Sequence, residues 1–155
     1  MGGEVLAGAA PFVGISLVVY GVFSRGLLTG HVPSRESTAQ GDIRSHFPRF
    51  LGENLERNKQ LIAGLAEIAG QKGISVAQLA AAWVISRGKG IIPLFGARRR
   101  QQLTEALQAM TVSFTPGELA AIERLVPTGA AAGERYGAQQ MKALDSERSV
   151  GGAKA

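Results

Sequence analysis

The 155-residue chain contains no cysteine, and this absence excludes several kinds of chemistry at once. Disulfide bonds, thiolate metal sites and cysteine nucleophiles cannot form. Histidine is scarce as well, since His31 and His46 are the only two, and neither has a carboxylate partner at a spacing that predicts a metal site. We therefore expect no metal centre and interpret both histidines as ordinary polar residues of a loop.

Acidic residues are fewer than basic ones. Twelve Asp and Glu against 17 Lys and Arg leave a formal net charge of +5, which favours an anionic ligand, a nucleic acid or an anionic surface as the partner. A hydrophobic content of 45% and a charged content of 19% are typical of one globular domain. Walker loops, nucleophile elbows, zinc motifs and repeats of fixed period are also missing, so the sequence gives no support to those functional classes.

Charged residues are absent between Val5 and Ser24, a run long enough to be considered as a membrane span. Glu4 stands where a signal anchor would carry basic residues, and glycine, alanine and one proline keep the run weakly hydrophobic. We instead predict a helix over Glu4–Phe12 and a strand over Ile15–Tyr20 that is rich in β-branched residues. On this basis we expect a cytoplasmic protein.

The rest of the chain alternates loops, helices and one more strand. Ser75 with Gln78, and Thr115 with Glu118, match capping boxes that start two helices. Both strands are predicted to be buried on two faces, as in a parallel sheet. The predicted elements are a long loop over Gly21–Phe50, helices over Leu51–Gln71, Val76–Ser86, Pro116–Val126 and Gln139–Arg148, a strand over Ile91–Leu94, and a helix after Gly96.

Three consecutive arginines, Arg98–Arg100, follow the second strand and precede apolar positions Leu103, Leu107 and Met110 at helical spacing. Cations at a helix N-terminus cost about 0.3–1 kcal/mol each, because they face the positive end of the helix dipole. A bound phosphate would reverse that sign. The alternative is a solvated arginine run that ends a loop, and spacing alone does not decide between the two.

Several short motifs occur in a fixed order along the chain. In this order and spacing they resemble the C-terminal half of an aldo-keto reductase, over residues 3–148, with 149–155 as a flexible tail. The resemblance implies an α/β fold, a partial (β/α)8 TIM barrel in which the two predicted strands are the seventh and eighth. The motifs are Val19–Gly30, Pro48-Arg49-Phe50 with Glu53-Asn54, Ala77–Ala80 with Ala82-Trp83-Val84, Ile91-Ile92-Pro93 with Gly96, and Gly133–Tyr136.

The resemblance also implies a cofactor, NADP(H), held by the loop after the first strand and by the arginine helix. The adenosine 2′-phosphate would lie against the arginines. The positions that match cofactor contacts of the family are Tyr20, Gly21, Val22, Phe23, Arg25, Gly96, Arg98, Gln102, Glu105 and Ala106.

Some of these positions depart from the residue types common in the family. Gly21 and Val22 stand where Ser and Pro are usual, Ala106 stands where Asn is usual, and Phe95 replaces a usual proline. If each loss removes an ordinary hydrogen bond, the affinity for the cofactor falls by about 1–3 kcal/mol relative to the family.

The family's catalytic tetrad of Asp, Tyr, Lys and His has no match in this chain. Tyr20 and Tyr136 are not at matching positions, and neither histidine follows a strand. We therefore expect little turnover by the chain alone, and reduction of a small carbonyl substrate only when an N-terminal half complements it. Self-association through uncovered strands is also expected. The second hypothesis is a basic helical module that binds nucleic-acid phosphates, although no groove-reading motif accompanies the arginines.

Overall fold

Two short parallel strands organise the part of the chain that the computed structural model describes, residues 14–30 and 42–144. Strand β1 spans Leu17–Val19 and strand β2 spans Ile91–Pro93. They pair in parallel, as predicted, although each is shorter than the sequence indicated. The predicted helix over residues 4–12 and the predicted tail over residues 149–155 lie outside the described residues.

Backbone hydrogen bonds fix the register of this sheet and extend the pairing past both ends. Leu17 pairs with Ile91 and Val19 with Pro93. The Leu17 amide donates to the carbonyl of Gly90 at 2.9 Å, and the Leu94 amide donates to the carbonyl of Val19 at 2.7 Å. The segments that leave β1 and β2 at their carboxyl ends therefore start side by side.

The first four α-helices follow the predicted bounds within a few residues, whereas the helix predicted over Gln139–Arg148 ends at Lys142. The region predicted as one long loop contains three 3₁₀ helices in its described part. The α-helices are α1 (Gly52–Gln71), α2 (Val76–Ser86), α3 (Arg100–Gln108), α4 (Pro116–Leu125) and α5 (Ala138–Lys142), and the 3₁₀ helices are Ser24–Thr29, Ile43–His46, Pro48–Phe50 and Ala109–Thr111.

Both predicted capping boxes are confirmed. Ser75 Oγ accepts from the Gln78 amide at 3.1 Å while Gln78 Oε1 accepts from the Ser75 amide at 2.9 Å. Thr115 and Glu118 make the same reciprocal pair at the start of α4. Lys72 donates to Glu118 at 2.6 Å, and this bond is the largest of the effects that lower the pKa of Glu118 to about 2.

The helices bury their apolar faces against one another. On α1 the side chains of Leu55, Leu65 and Ala69 are buried, and that of Ile62 is half-buried. On α2 the buried side chains are Leu79 and three small residues, Ala77, Ala81 and Ala82. Trp83 is half-buried and lines an apolar cavity of about 190 Å³ with Val22 and Leu28 among its walls.

The prediction that both strands are buried on two faces is wrong for the described residues. Val18 is 61% exposed, Tyr20 62% and Ile92 50%. A two-stranded sheet has too few strands to form a covered layer, so its apolar side chains stay accessible. Leu103 and Leu107 of α3 and Met110 of the 3₁₀ helix that follows it are exposed as well, whereas Ala106 and Ala109 are buried.

Asn58 is a buried polar residue that the apolar periodicity of α1 did not predict, with only 5% of its surface exposed. Its Oδ1 accepts from the Ala132 amide at 2.8 Å, and its Nδ2 donates to the carbonyls of Ala132 at 2.9 Å and Arg49 at 3.1 Å. One side chain therefore joins α1, the turn before α1 and the C-terminal segment.

Replacing Asn58 with alanine should lower the free energy of unfolding by at least about 2 kcal/mol, because it leaves buried backbone groups of Ala132 and Arg49 without partners. Urea unfolding followed by circular dichroism measures the change. The control is Gln60→Ala on the exposed face of the same helix, which should stay within about 0.5 kcal/mol of wild type. Equal effects of the two substitutions would contradict the anchoring role of Asn58.

Candidate functional site

The carboxyl ends of β1 and β2 bring together the two segments that the sequence identified as a ligand site. Tyr20–Arg25 follow β1, and Leu94–Arg99 follow β2. A ring contact joins them, with the centroids of Phe23 and Phe95 5.4 Å apart and their planes tilted by 43°. In α/β proteins with parallel strands, ligands are commonly bound at this end of the sheet.

The turn after β1 has an unusual backbone. Gly21 has φ 76° and Gly26 has φ 95°, whereas Ser24 and Arg25 adopt φ 46° and 53° although they carry side chains. Such conformations cost of order 1–3 kcal/mol each and persist only where surrounding contacts hold them. Gly21, which replaces the usual serine of the family, therefore occupies a position where glycine is the favoured residue.

Arg25 is held by aromatic rings on the far side of this turn. Its guanidinium carbon lies 4.1 Å from the ring centroid of Phe47 and 4.5 Å from that of Tyr136. Arg25 Nη1 also donates to the carbonyl of Arg135 at 2.9 Å. The side chain nevertheless remains exposed, so its charge is accessible to a ligand.

Tyr136 connects Arg25 to Tyr20, another predicted contact residue. The hydrogen bond between Tyr136 and Tyr20 is the largest of the effects that lower the pKa of Tyr136, followed among the lowering effects by the positive charge of Arg25. Phe47 packs against Tyr136 edge-on, with centroids 6.1 Å apart. Arg25, Tyr20 and Phe47 therefore all interact with the same residue of the C-terminal segment, Tyr136.

The start of α3 places Arg98, Arg99 and Arg100 on the surface. Gln102 reaches back to this end of the helix, where its Oε1 accepts from the amides of Arg98 at 2.9 Å and Arg99 at 3.1 Å. Gln102 thus caps the helix, and the arginines surround the capped end. Gly96 is exposed in the turn that leads to it.

Two other predicted contact residues of α3 have structural partners. Glu105 accepts from Ser75 Oγ at 2.5 Å, which ties α3 to the first turn of α2. Ala106 is only 4% exposed. A buried alanine offers little surface to a ligand, so the side chains on the arginine side of α3 remain the better candidates for contact.

Asp42 and Arg44 form a pair near this site that the sequence reasoning did not select. Arg44 Nε lies 3.0 and 2.9 Å from the two carboxylate oxygens of Asp42, and Nη2 lies 2.6 Å from Oδ2. These bonds lower the pKa of Asp42 to about 2, and the positive charge of Arg98 contributes to the same shift. Arg44 Nη1 is 3.4 Å from the point where a Cβ on Gly26 would stand. The sequence signal for this pair was the Asp-x-Arg spacing. That spacing is typical of a capped turn, and here Asp42 Oδ1 also accepts from the Arg44 amide.

Metal-ligand groups and membrane-spanning helices are both absent from the described residues. Residues 14–30 and 42–144 contain no group of three or more His, Asp or Glu side chains placed to hold a metal ion. Every helix in these ranges is too short or too polar to span a bilayer.

Comparison with known proteins identifies the family. A sequence profile of the Aldo/keto reductase family matches residues 4–127. The NADP(+) aldo-keto reductase yakc of Schizosaccharomyces pombe is 31% identical over 122 residues, which are 79% of this chain and 36% of that protein. Probable aldo-keto reductase 1 of Glycine max is 32% identical over 124 residues, covering 80% of this chain and 36% of the relative.

A solved structure agrees with these sequence matches. The glycerol dehydrogenase AKR11B4 of Gluconobacter oxydans superposes with a TM-score of 0.68 at 30% identity, covering 77% of this chain and 36% of that one. The chain therefore belongs to the aldo-keto reductase family, as its motifs predicted, and has an α/β fold related to the TIM barrel. It spans 36% of the length of these relatives.

The cap at the start of α3 predicts opposite effects of two substitutions. Gln102→Leu removes the acceptor of the Arg98 and Arg99 amides and should lower the free energy of unfolding by about 1 kcal/mol. Gln102→Glu retains an acceptor and adds a negative charge at the positive end of the dipole, so it should match or exceed wild type by about 0.3–1 kcal/mol.

Urea unfolding measures both variants, with Gln101→Leu as the exposed neighbouring control. If Gln102→Leu is as stable as that control, Gln102 does not cap α3.

Proposed function

We propose that residues 1–148 form the NADP(H)-binding half of an aldo-keto reductase, an oxidoreductase that reduces small carbonyl substrates. In this proposal β1 and β2 correspond to the seventh and eighth strands of a (β/α)8 barrel. The observation that carries it is the meeting of the Tyr20–Arg25 and Leu94–Arg99 segments at the carboxyl ends of two parallel strands.

The charge distribution supports a dinucleotide ligand. Arg25 offers an exposed cation on the β1 side, and Arg98–Arg100 offer three on the β2 side. Within the described residues none of these three α3 arginines forms an ion pair, and like charges beside a helix N-terminus are destabilising until an anion binds. A 2′-phosphate there would gain charge-assisted hydrogen bonds from guanidinium groups and from helix amides.

Gln102 has a second role in this proposal. Its side chain occupies the Arg98 and Arg99 amides, which are the donors that a phosphate would otherwise use. Phosphate binding would then be an exchange, in which an anionic oxygen replaces the neutral amide oxygen of Gln102. A carboxylate at position 102 would make that exchange unfavourable, because it would compete for the same donors and repel the phosphate.

Proton donation to the carbonyl is proposed to come from outside this chain. Neither Tyr20 nor Tyr136 matches the position of the catalytic tyrosine of the family. The exposed apolar faces of β1, β2 and α3 are then surfaces for the complementary half of the barrel, or for self-association in its absence. NADPH-dependent reduction of a simple aldehyde by the purified chain alone would contradict this assignment.

The nucleic-acid hypothesis rests on the same exposed arginines. It predicts an affinity for DNA that falls steeply as salt rises, without any preference between NADPH and NADH. A salt titration on duplex DNA is therefore an informative companion to cofactor titrations.

Arg98→Ala should weaken binding of NADPH about tenfold to 100-fold, the value of a charge-assisted hydrogen bond, and should leave binding of NADH unchanged. Fluorescence titration of each cofactor gives the dissociation constants. Arg124→Ala in the last turn of α4 removes the same charge from another helix and should change neither value.

Gln102→Glu provides an independent variant. It should retain the stability of the fold and, like Arg98→Ala, should weaken the binding of NADPH. Equal affinity of the wild-type chain for NADPH and NADH would contradict the 2′-phosphate site. An equal loss for both cofactors in Arg98→Ala would also contradict it.

A further inference from the structure

The conformation of Arg25 requires an external support, because φ values of 46° and 53° at Ser24 and Arg25 are unfavourable for residues with side chains. Two of the contacts that hold Arg25 come from a segment 110 positions later in the chain. These are the carbonyl of Arg135 and the ring of Tyr136, and Phe47 closes the other side of the guanidinium.

That distant segment, residues Ala132–Tyr136, is called the C-terminal clasp below. It is anchored at its start, where Asn58 bonds both the amide and the carbonyl of Ala132. Arg49 Nε donates to the carbonyl of Gly133 at 3.1 Å. The anchors lie on α1 and on the turn before it, so the clasp has a fixed position relative to the helical core.

Gly133 shows how closely the clasp fits this turn. It has φ 79°, and a Cβ there would stand 2.8 Å from Asn54 Nδ2 and 2.9 Å from the carbonyl carbon of Pro48. Gly137, the residue directly after the clasp, has φ −63°, and a Cβ there would meet nothing within 4 Å. The two glycines therefore form a matched pair for testing whether the clasp must keep its position.

The clasp also concentrates positive charge around the turn after β1. Burial, followed by the neighbouring positive charges of Arg135 and Arg25, lowers the pKa of Arg49, and only Glu134 among the named neighbours opposes this. Guanidinium groups that repel one another are stabilised when an anion lies between or beside them. The contacts of Arg25 leave its side chain exposed toward such an anion.

We infer that the C-terminal clasp positions Arg25, through the ring of Tyr136 and the carbonyl of Arg135, to bind a phosphate group of the dinucleotide at the carboxyl end of β1. This inference rests on the proposed NADP(H) site and adds to it a positioning residue, Tyr136. Tyr136 acts through Arg25.

A double-mutant cycle separates positioning from a general effect on stability. Arg25→Gln removes the cation and leaves the clasp intact, whereas Tyr136→Leu removes the ring and leaves the cation. Tyr136→Leu should weaken the binding of NADPH about threefold to thirtyfold, the range of a cation–π contact. Arg25→Gln should weaken it at least as much, because it removes the cation itself. Because Tyr136 acts through Arg25, the double variant should bind NADPH at most about twofold more weakly than Arg25→Gln alone.

A spectroscopic readout tests the geometry without any cofactor. A guanidinium between two aromatic rings should show its side-chain proton resonances shifted upfield, and Tyr136→Leu should reduce that shift to the part that the ring of Phe47 contributes. Tyr136→Phe, which keeps the ring, should retain both the shift and most of the NADPH affinity. Gly133→Ala should reduce both, and Gly137→Ala should change neither.

The outcomes distinguish the inference from the function on which it rests. A wild-type chain that does not bind NADPH contradicts the proposed function. A wild-type chain that binds NADPH, combined with unchanged affinity in Tyr136→Leu or with additive losses in the double variant, contradicts the clasp alone. Unshifted Arg25 resonances in the wild-type chain would also overturn the clasp.

Discussion

The parallel pairing of β1 with β2 is the constraint on which the candidate site depends. Its register places Val19 beside Pro93, and the bond from the Leu94 amide to the Val19 carbonyl continues that alignment to the first residue beyond the strands. A change of register by one residue would reverse the side-chain directions of a strand. Phe23 and Phe95 would then lose the alignment that places their rings in contact.

Positive charge reaches the carboxyl end of the sheet by two different routes. On the β2 side the arginines of α3 are local in sequence, and a side chain of the same helix, Gln102, satisfies the amides between them. On the β1 side Arg25 lies in a strained turn and contacts Tyr136, which is remote in sequence. In the proposed site the first arrangement is adaptable, because a phosphate would exchange with Gln102. The second would be preorganised and would cost less entropy on binding.

Local signals in the sequence were reliable where the chemistry is local. The capping boxes at Ser75 and Thr115 involve residues three positions apart, and hydrogen-bond geometry determines both. Apolar periodicity located α1 and α2, but it treats a polar residue as surface, and for that reason it passed over Asn58. The contact of Tyr136 with Arg25 has no periodic signature, since a long stretch of chain separates the two residues.

Burial of the strands was mispredicted for a related reason. A run of β-branched residues predicts a strand with covered faces, yet coverage depends on neighbouring strands and helices rather than on the run itself. Val18 and Ile92 are exposed because the described residues supply only two strands. The family resemblance predicted the meeting of the two loops, whereas it gave no indication that Glu105 binds Ser75 or that Ala106 is buried.

The most direct test of the account is a titration of the ¹⁵N-labelled chain with NADPH, followed by the amide resonances of each residue. The account predicts saturable shifts concentrated in Tyr20–Arg25 and in Gly96–Gln102, with the second group responding less to NADH because it lacks the 2′-phosphate. Saturable shifts located elsewhere, or none in either segment, would contradict the assignment of the site to the strand ends.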